Sequence, residues 1–139
     1  MLTYVLDASA YLRFAQREAG ELRIAEIIQD HSQRTAQVIL SAVQWGEIVK
    51  IITRREGQLA VAKIAHHFEL LGIEIVAATA TRAERAALMG LNYKISYADA
   101  FGLELASDSP DHILVTADYG AKPAERDIRI EFLPVKPKP

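Results

Sequence analysis

The chain has 139 residues, half of them apolar, no cysteine, and a net charge of −2 from 16 Lys and Arg against 18 Asp and Glu. This length suits one domain with a single core, and the apolar content argues against intrinsic disorder. The lack of cysteine excludes disulfides, a thiol nucleophile and zinc sites with cysteine ligands, and it fits a reducing, cytoplasmic location. The near-neutral charge excludes a broad basic surface, so any contact with nucleic acid must be local.

The sequence predicts neither a signal peptide nor a membrane span. Its first apolar run is short, follows no basic segment and ends at Asp7. Nowhere do roughly 18 apolar residues follow one another without a charge. We therefore expect no contact with a membrane.

Five short runs rich in β-branched and other apolar residues predict β-strands at 4–6, 38–40, 73–76, 113–115 and 128–132. The first four are apolar almost throughout, which is typical of parallel strands covered on both faces. The fifth alternates apolar and charged residues, which is typical of an edge strand.

Helical patterns lie between these strands, at 10–19, 22–28, 41–55, 59–71, 80–91 and 97–107. Strands that alternate with helices predict an α/β fold, here a three-layer α/β/α sandwich around a mainly parallel five-stranded sheet. We expect one domain over residues 1–133. The Lys-Pro-Lys-Pro ending cannot form a helix, so residues 134–139 are predicted to be a flexible tail.

Four carboxylates are predicted to lie at one edge of the sheet. In open α/β sheets, sites form beyond the carboxyl ends of the strands. Asp7 directly follows the first strand, and Asp118 follows the fourth. Glu47 lies on the apolar face of the helix that leaves the second strand, and Asp99 lies in the first turn of the helix that precedes the fourth. The sequence therefore predicts that these four side chains converge.

Such a cluster needs a compensating cation, because carboxylates repel one another and each buried one is costly alone. Oxygen ligands without cysteine or paired histidine favour Mg²⁺ or Mn²⁺ over zinc. A site of this kind suits metal-dependent hydrolysis of a phosphodiester bond.

Each carboxylate also has a structural interpretation. Asp7 could cap the first helix, and Asp118 could close an Asx turn. Asp99 fits a capping box that begins at Ser96. Glu47 is harder to explain in this way, because no Lys or Arg stands four residues from it on its helix.

Four segments, in this order and spacing, resemble the PIN-domain ribonucleases, and especially the toxins of VapB-VapC type toxin-antitoxin modules. They are VLDASA at 5–10, SAVQWGEI at 41–48, SYADA at 96–100 and LVTAD at 114–118. The resemblance implies a Mg²⁺- or Mn²⁺-dependent endoribonuclease, usually a homodimer, that a cognate antitoxin inhibits.

The same resemblance implies roles for particular residues. It suggests metal ligands at the four acidic positions, Asp7, Glu47, Asp99 and Asp118, with hydroxyls for metal, water or phosphate supplied by Ser9 and Thr116. Family members often carry a further acidic or polar residue shortly after the last Asp. Here Tyr-Gly-Ala-Lys follows at 119–122, so the resemblance does not extend to a second metal position.

Basic and apolar surface residues suggest partners. Lys94 and Lys122, near the two late carboxylates, are the preferred phosphate contacts on RNA, although solvated surface is the alternative. Weaker candidates are Arg13, Arg54, Arg55, Arg126 and Arg129. The apolar content of 10–14 and 41–71 predicts a dimer or antitoxin groove, with core packing as the alternative. We assign no functional role to the four histidines.

The sequence has two alternative functional interpretations. A PIN-type nuclease of RNA processing or decay, without an antitoxin, would have the same sequence features. A receiver-like signalling module would need a phosphoacceptor Asp after the third strand, but Ala-Ala-Thr follows there at 77–79.

Overall fold

The computed structural model describes residues 1–138, so Pro139 of the predicted tail lies outside the described residues. The strands are β1 (Thr3–Leu6), β2 (Gln37–Ser41), β3 (Glu74–Val76), β4 (His112–Thr116) and β5 (Ile130–Phe132). The α-helices are α1 (Ala8–Ala15), α2 (Glu21–Ser32), α3 (Ala42–Glu56), α4 (Gln58–Leu71), α5 (Ala80–Tyr93) and α6 (Tyr97–Ala106). A 3₁₀ helix (Tyr119–Arg126) connects β4 to β5.

The five strands form one sheet in the order β3-β2-β1-β4-β5, and every pairing is parallel. Side chains alternate between its faces. Tyr4 and Leu6 of β1 pack in a core with α1, α2, α3 and α4, whereas Val5 packs in a second core with α5 and α6. The predicted three-layer sandwich around a parallel five-stranded sheet is therefore confirmed.

Strand β1 lies in the centre of the sheet, which determines where the candidate site forms. Val5 pairs with Ile39 of β2 on one side and with Leu114 of β4 on the other. The three strands end at the same edge because they are parallel and in register. The residues that follow β1, β2 and β4 are therefore neighbours in space.

The structure corrects one expectation about the strands. We predicted that residues 73–76 would be covered on both faces, but β3 is an edge strand that pairs only with β2. Glu74 and Ile75 are exposed. The predicted edge position of the fifth strand is confirmed. That strand begins at Ile130, because the N–H of Ile128 bonds instead to Ala124 of the 3₁₀ helix.

The first helix is also shorter than predicted, and the 3₁₀ helix was not predicted. Helix α1 ends at Ala15 because Arg17 takes a left-handed conformation, with φ of 54°. The 3₁₀ helix contains Pro123. It is too short to show a periodic apolar pattern, so nothing in the sequence marks it as helical.

The structure gives His31 a structural role that the sequence did not reveal. Its Nδ1 accepts a hydrogen bond from the N–H of Val38, so Nε2 carries the proton and donates to the carbonyl of Leu71 at 2.8 Å. His31 therefore joins α2 to β2 and to the end of α4. Nothing connects it with the candidate site.

The helices among residues 1–138 include none that is long and apolar enough to cross a bilayer.

Candidate functional site

Asp7 is the centre of the candidate site. It lies at the carboxyl end of β1, where its Oδ1 accepts hydrogen bonds from the backbone N–H of Ala10 at 2.9 Å and from Ser9 Oγ at 2.7 Å. The pKa of this carboxyl is raised to about 6, mainly by burial and to a smaller extent by the nearby charge of Asp99. The hydrogen bonds from Thr116, Ser9 and Ala10 act in the opposite direction.

Two hydroxyls join the end of β1 to the end of β4. Ser9 Oγ, which donates to Asp7, accepts a hydrogen bond from the N–H of Ala117 at 2.9 Å and lies 3.2 Å from Thr116 Oγ1. The buried Thr116 hydroxyl accepts from the N–H of Asp118 at 3.0 Å. This chain of contacts links Asp7 to the backbone of Asp118 through two hydroxyls, although more than a hundred residues separate them.

Asp99 approaches Asp7 because α6 packs closely on β1. Gly102, one turn after Asp99, shows how close the packing is: a Cβ at that position would be in ordinary contact with Asp7 Cβ at 3.5 Å and tight against Leu114 Cδ1 at 3.2 Å. The Asp99 side chain is exposed and forms no ion pair or hydrogen bond within residues 1–138. Its backbone N–H bonds to Ser96 Oγ at 3.3 Å, so Ser96 caps the helix as predicted.

Gln44 links the helices that carry the acidic residues, and the sequence analysis missed it. Its side chain is only 2% exposed. Oε1 accepts from the N–H of Ala8 in α1, and Nε2 donates to the carbonyl of Ala98 in α6, both at 2.7 Å. A glutamine one turn before Glu47, on an otherwise apolar face, was the available signal.

Glu47 follows Gln44 on the same side of α3, which directs it toward the same edge of the sheet. No Lys or Arg stands four residues from it, as the sequence shows, but a basic residue lies at the other helical spacing that brings side chains together. Lys50, three residues later, places Nζ 3.4 Å from Glu47 Oε2. Because both side chains are more than a third exposed, this pair contributes little to stability.

The predicted structural roles of Asp7 as a helix cap and of Asp118 as a turn residue are both correct. Asp7 caps α1, and Asp118 Oδ1 accepts from the N–H of Gly120 at 2.8 Å in a turn that starts the 3₁₀ helix. Asp118 is exposed. A helix cap uses one carboxylate oxygen, so it does not prevent the same residue from binding a cation.

The sequence model of the PIN domain matches residues 4–125. This chain belongs to the PIN domain family. Solved structures with a similar fold include VapC20 of Mycobacterium tuberculosis, described as a toxin that cleaves the sarcin-ricin loop, with a TM-score of 0.68 and 16% identity over 94% of this chain and 99% of that one. No curated protein matches the sequence at a significant level.

Two further similar folds come from complexes. VapBC2 of Rickettsia felis, bound to a DNA fragment from its promoter, has a TM-score of 0.67 and 11% identity, covering 94% of this chain and 98% of that one. DNA-bound VapBC of Salmonella typhimurium has a TM-score of 0.65 and 16% identity, covering 95% of this chain and 98% of that one. At these identities the likeness concerns the fold of the PIN domain.

The acidic residues of this PIN domain fit a hard divalent cation held by few protein ligands. Within residues 1–138, no group of three or more Asp, Glu or His side chains is arranged to hold a metal. No salt bridge in that range involves Asp7, Asp99 or Asp118. Mg²⁺ often binds through one or two carboxylates and retains several waters. The pair Asp7 and Asp99 suits that mode of binding.

The structure places the two lysines chosen as phosphate contacts in different surroundings. Lys94 ends α5 in a left-handed conformation, with φ of 57°, and is exposed. Lys122 lies 3.6 Å from Glu125 and above the ring of Phe132, so part of its charge is already compensated. The charge of Lys94 is therefore more available to a phosphate than the charge of Lys122.

Proposed function

We propose that this PIN domain is a divalent-metal-dependent endoribonuclease that acts as the toxin of a VapB-VapC type toxin-antitoxin pair. The observation that carries the proposal is a half-buried Asp7 near Asp99, with its pKa raised to about 6 and with no salt bridge to either carboxylate among residues 1–138. A carboxylate pair of this kind is destabilising unless a cation binds.

We assign a separate role to each residue of the site. Asp7 and Asp99 would hold Mg²⁺ or Mn²⁺, and Glu47 and Asp118 would complete the ligand set or orient the attacking water. When bound, the metal lowers the pKa of water and offsets charge on the phosphate. Ser9 keeps Asp7 in place through its hydrogen bond to Oδ1.

The buried hydroxyl of Thr116 is held between Ser9 and the N–H of Asp118, so its proposed role is to position the acidic residues at the ends of β1 and β4. Lys94 and Lys122 would contact neighbouring RNA phosphates through charge-assisted hydrogen bonds. The attacking water would approach in line with the bond that breaks, from the side of the carboxylates.

The proposed partners are RNA, a cognate antitoxin and a second copy of the chain. The similarity in fold to VapBC complexes supports the antitoxin. Two shallow grooves that share Ala15 offer an apolar surface between α1, α2 and α4. An amphipathic helix is the type of partner that such grooves bind.

The first test is cleavage of an RNA oligonucleotide by the purified protein. We expect cleavage with Mg²⁺ or Mn²⁺, none with EDTA, and recovery when metal is restored. Asp99→Asn should reduce the rate by at least about a hundredfold while the melting temperature stays near that of the wild type, because the Ser96 cap uses the backbone N–H. Mg²⁺ should raise the melting temperature of the wild type only.

Equal cleavage in EDTA would reject the metal role. If Asp99→Asn melts far lower and still cleaves, its role is to cap α6. Expression without an antitoxin should arrest growth, and Asp7→Asn should abolish the arrest. An active enzyme that leaves growth unaffected would indicate an RNA-processing nuclease without an antitoxin.

A further inference from the structure

A cleft of about 480 Å³ extends from the candidate site between α1 and α3. Ser9 and Asp118 line it, and so do residues at the far end of each helix, Gln16 directly after α1 and Arg55 on α3. Both helices begin at the carboxyl edge of the sheet, so these later residues lie away from the carboxylates. Ile51 stands midway between Glu47 and Arg55 on one face of α3, and Arg55 is about 12 Å along the axis from Glu47.

Gln16 carries a donor without a partner. Among residues 1–138, its Nε2 is the one buried side-chain nitrogen or oxygen that makes no hydrogen bond. Buried donors in native proteins are nearly always satisfied, so each exception calls for an explanation. Because the terminal torsion of a glutamine is soft, the amide can turn toward an acceptor that enters the cleft.

Arg55 supplies a cation that the protein itself does not use. Two other basic residues that line the cleft are engaged: Arg13 donates to the carbonyls of Ala19 and Pro134 at 2.7 and 2.8 Å, and Lys136 pairs with Glu18 at 2.6 Å. The exposed guanidinium of Arg55 forms no ion pair or hydrogen bond with any part of the chain that the structure describes.

The cleft therefore combines apolar walls from Leu12 and Ile51, one amide donor and one cation, next to acidic residues proposed to cleave RNA. This combination matches a nucleotide, which has a flat base, acceptor oxygens and an anionic phosphate. A base can enter between side chains only when it is unstacked, as in single-stranded RNA.

We propose that this cleft binds a nucleotide of single-stranded RNA adjoining the cleaved bond, with Arg55 on its phosphate and Gln16 donating to an oxygen of the base or ribose. The inference rests on the proposed nuclease function, and it adds a substrate subsite to it. In this arrangement Arg55 and Gln16 contribute to binding and take no part in the chemical step.

The test compares Arg55→Ala with Arg54→Ala. Arg54 is the adjacent residue on α3, is also exposed and has no partner among residues 1–138, but it does not line the cleft. Binding of a fluorescein-labelled single-stranded RNA of mixed sequence is measured by anisotropy in EDTA. We expect Arg55→Ala to weaken binding about tenfold and Arg54→Ala less than about twofold.

Gln16→Leu provides an independent measurement. We expect it to weaken RNA binding about threefold or more without lowering the melting temperature, because it removes a donor that the folded protein leaves unsatisfied. In cleavage assays with metal, Arg55→Ala should raise KM and leave kcat near the wild-type value, which is the signature of lost binding rather than lost chemistry.

Equal effects of Arg54→Ala and Arg55→Ala would overturn the proposal. So would normal RNA binding by Arg55→Ala together with lost inhibition by an antitoxin, because the cleft would then belong to that partner. If the wild type cleaves no RNA, the nuclease function fails. The anisotropy comparison still decides whether the cleft binds RNA.

Discussion

Asp7 has two roles whose effects on stability are opposed. Its Oδ1 caps α1 and accepts the Ser9 hydrogen bond, which stabilises the start of the helix. Its burial beside Asp99 makes the ionised form unfavourable and raises its pKa to about 6. The metal-free protein is therefore less stable than its packing alone would allow.

This conflict predicts a pH dependence of folding. The folded state holds the Asp7 proton more tightly than the unfolded chain does, so the free energy of unfolding falls as pH rises from about 4 to about 6. The loss is up to about 3 kcal/mol and persists at higher pH. Asp7→Asn should lack this loss, because an amide does not ionise and its oxygen can still accept both hydrogen bonds.

Urea denaturation in EDTA measures the effect. At pH 7 the Asp7→Asn variant should be more stable than the wild type, and the two should converge at pH 4. Because all other titrating groups are shared, the difference between the two curves isolates Asp7. Parallel curves over the whole range would contradict the prediction.

At the scale of the elements, Gln44 fixes the relative positions of three helices. It is buried between the first residue of α1 and the first turn of α6 and pairs with a backbone group of each. The helix that carries Asp99 is thereby held against the helix that Asp7 caps. The Gln44 amide therefore contributes to the geometry of the acidic residues, together with the Ser9 contacts at the end of β1.

Gln44→Leu is predicted to destabilise the protein by about 2–4 kcal/mol, because the N–H of Ala8 and the C=O of Ala98 would remain buried without partners. Gln44→Glu, which keeps an acceptor for Ala8 but presents an anion to the Ala98 carbonyl, is also predicted to destabilise. Chemical denaturation measures both changes. A Gln44→Leu variant as stable as the wild type would show that water replaces the amide.

Part of the fold and part of the candidate site could be predicted from the sequence. Apolar runs predicted all five strands, and the rule that parallel strands share a carboxyl edge placed Asp7 and Asp118 together. The exposure of β3 could not be predicted, because an apolar strand has the same pattern whether one neighbour or two lie beside it. The Gln44 bridges depend on backbone groups far apart in sequence, and the Glu47–Lys50 pair depends on side-chain conformation.

At the scale of the whole molecule, one layer of helices presents two grooves with apolar side chains. Leu59 of α4 is 71% exposed and lines a groove with Tyr11 and Ile64, while a neighbouring groove is lined by Phe14 and Leu22. These grooves lie on the layer formed by α1, α2 and α4. The carboxylates lie at the carboxyl edge of the sheet, so the proposed antitoxin binding and the proposed RNA cleavage should respond to different substitutions.

Leu59→Glu is predicted to weaken inhibition by the cognate antitoxin at least about tenfold without changing RNA cleavage, because burial of a carboxylate in an apolar interface is costly. Leu70→Glu is the control, because Leu70 lies on the same helix, is equally exposed at 71% and does not line either groove. Titration of antitoxin into the cleavage assay measures both. Equal loss of inhibition in the two variants would place the antitoxin elsewhere.

The central position of β1 has a consequence for synthesis on the ribosome. Thr3 pairs with His112, so the first strand to be translated must wait for nearly the last one before the sheet can close. Until then Asp7 has neither the Thr116 hydroxyl nor Asp118 beside it. Under the proposed function, we therefore expect the nascent chain to be unable to cleave RNA until β4 has been translated and paired with β1.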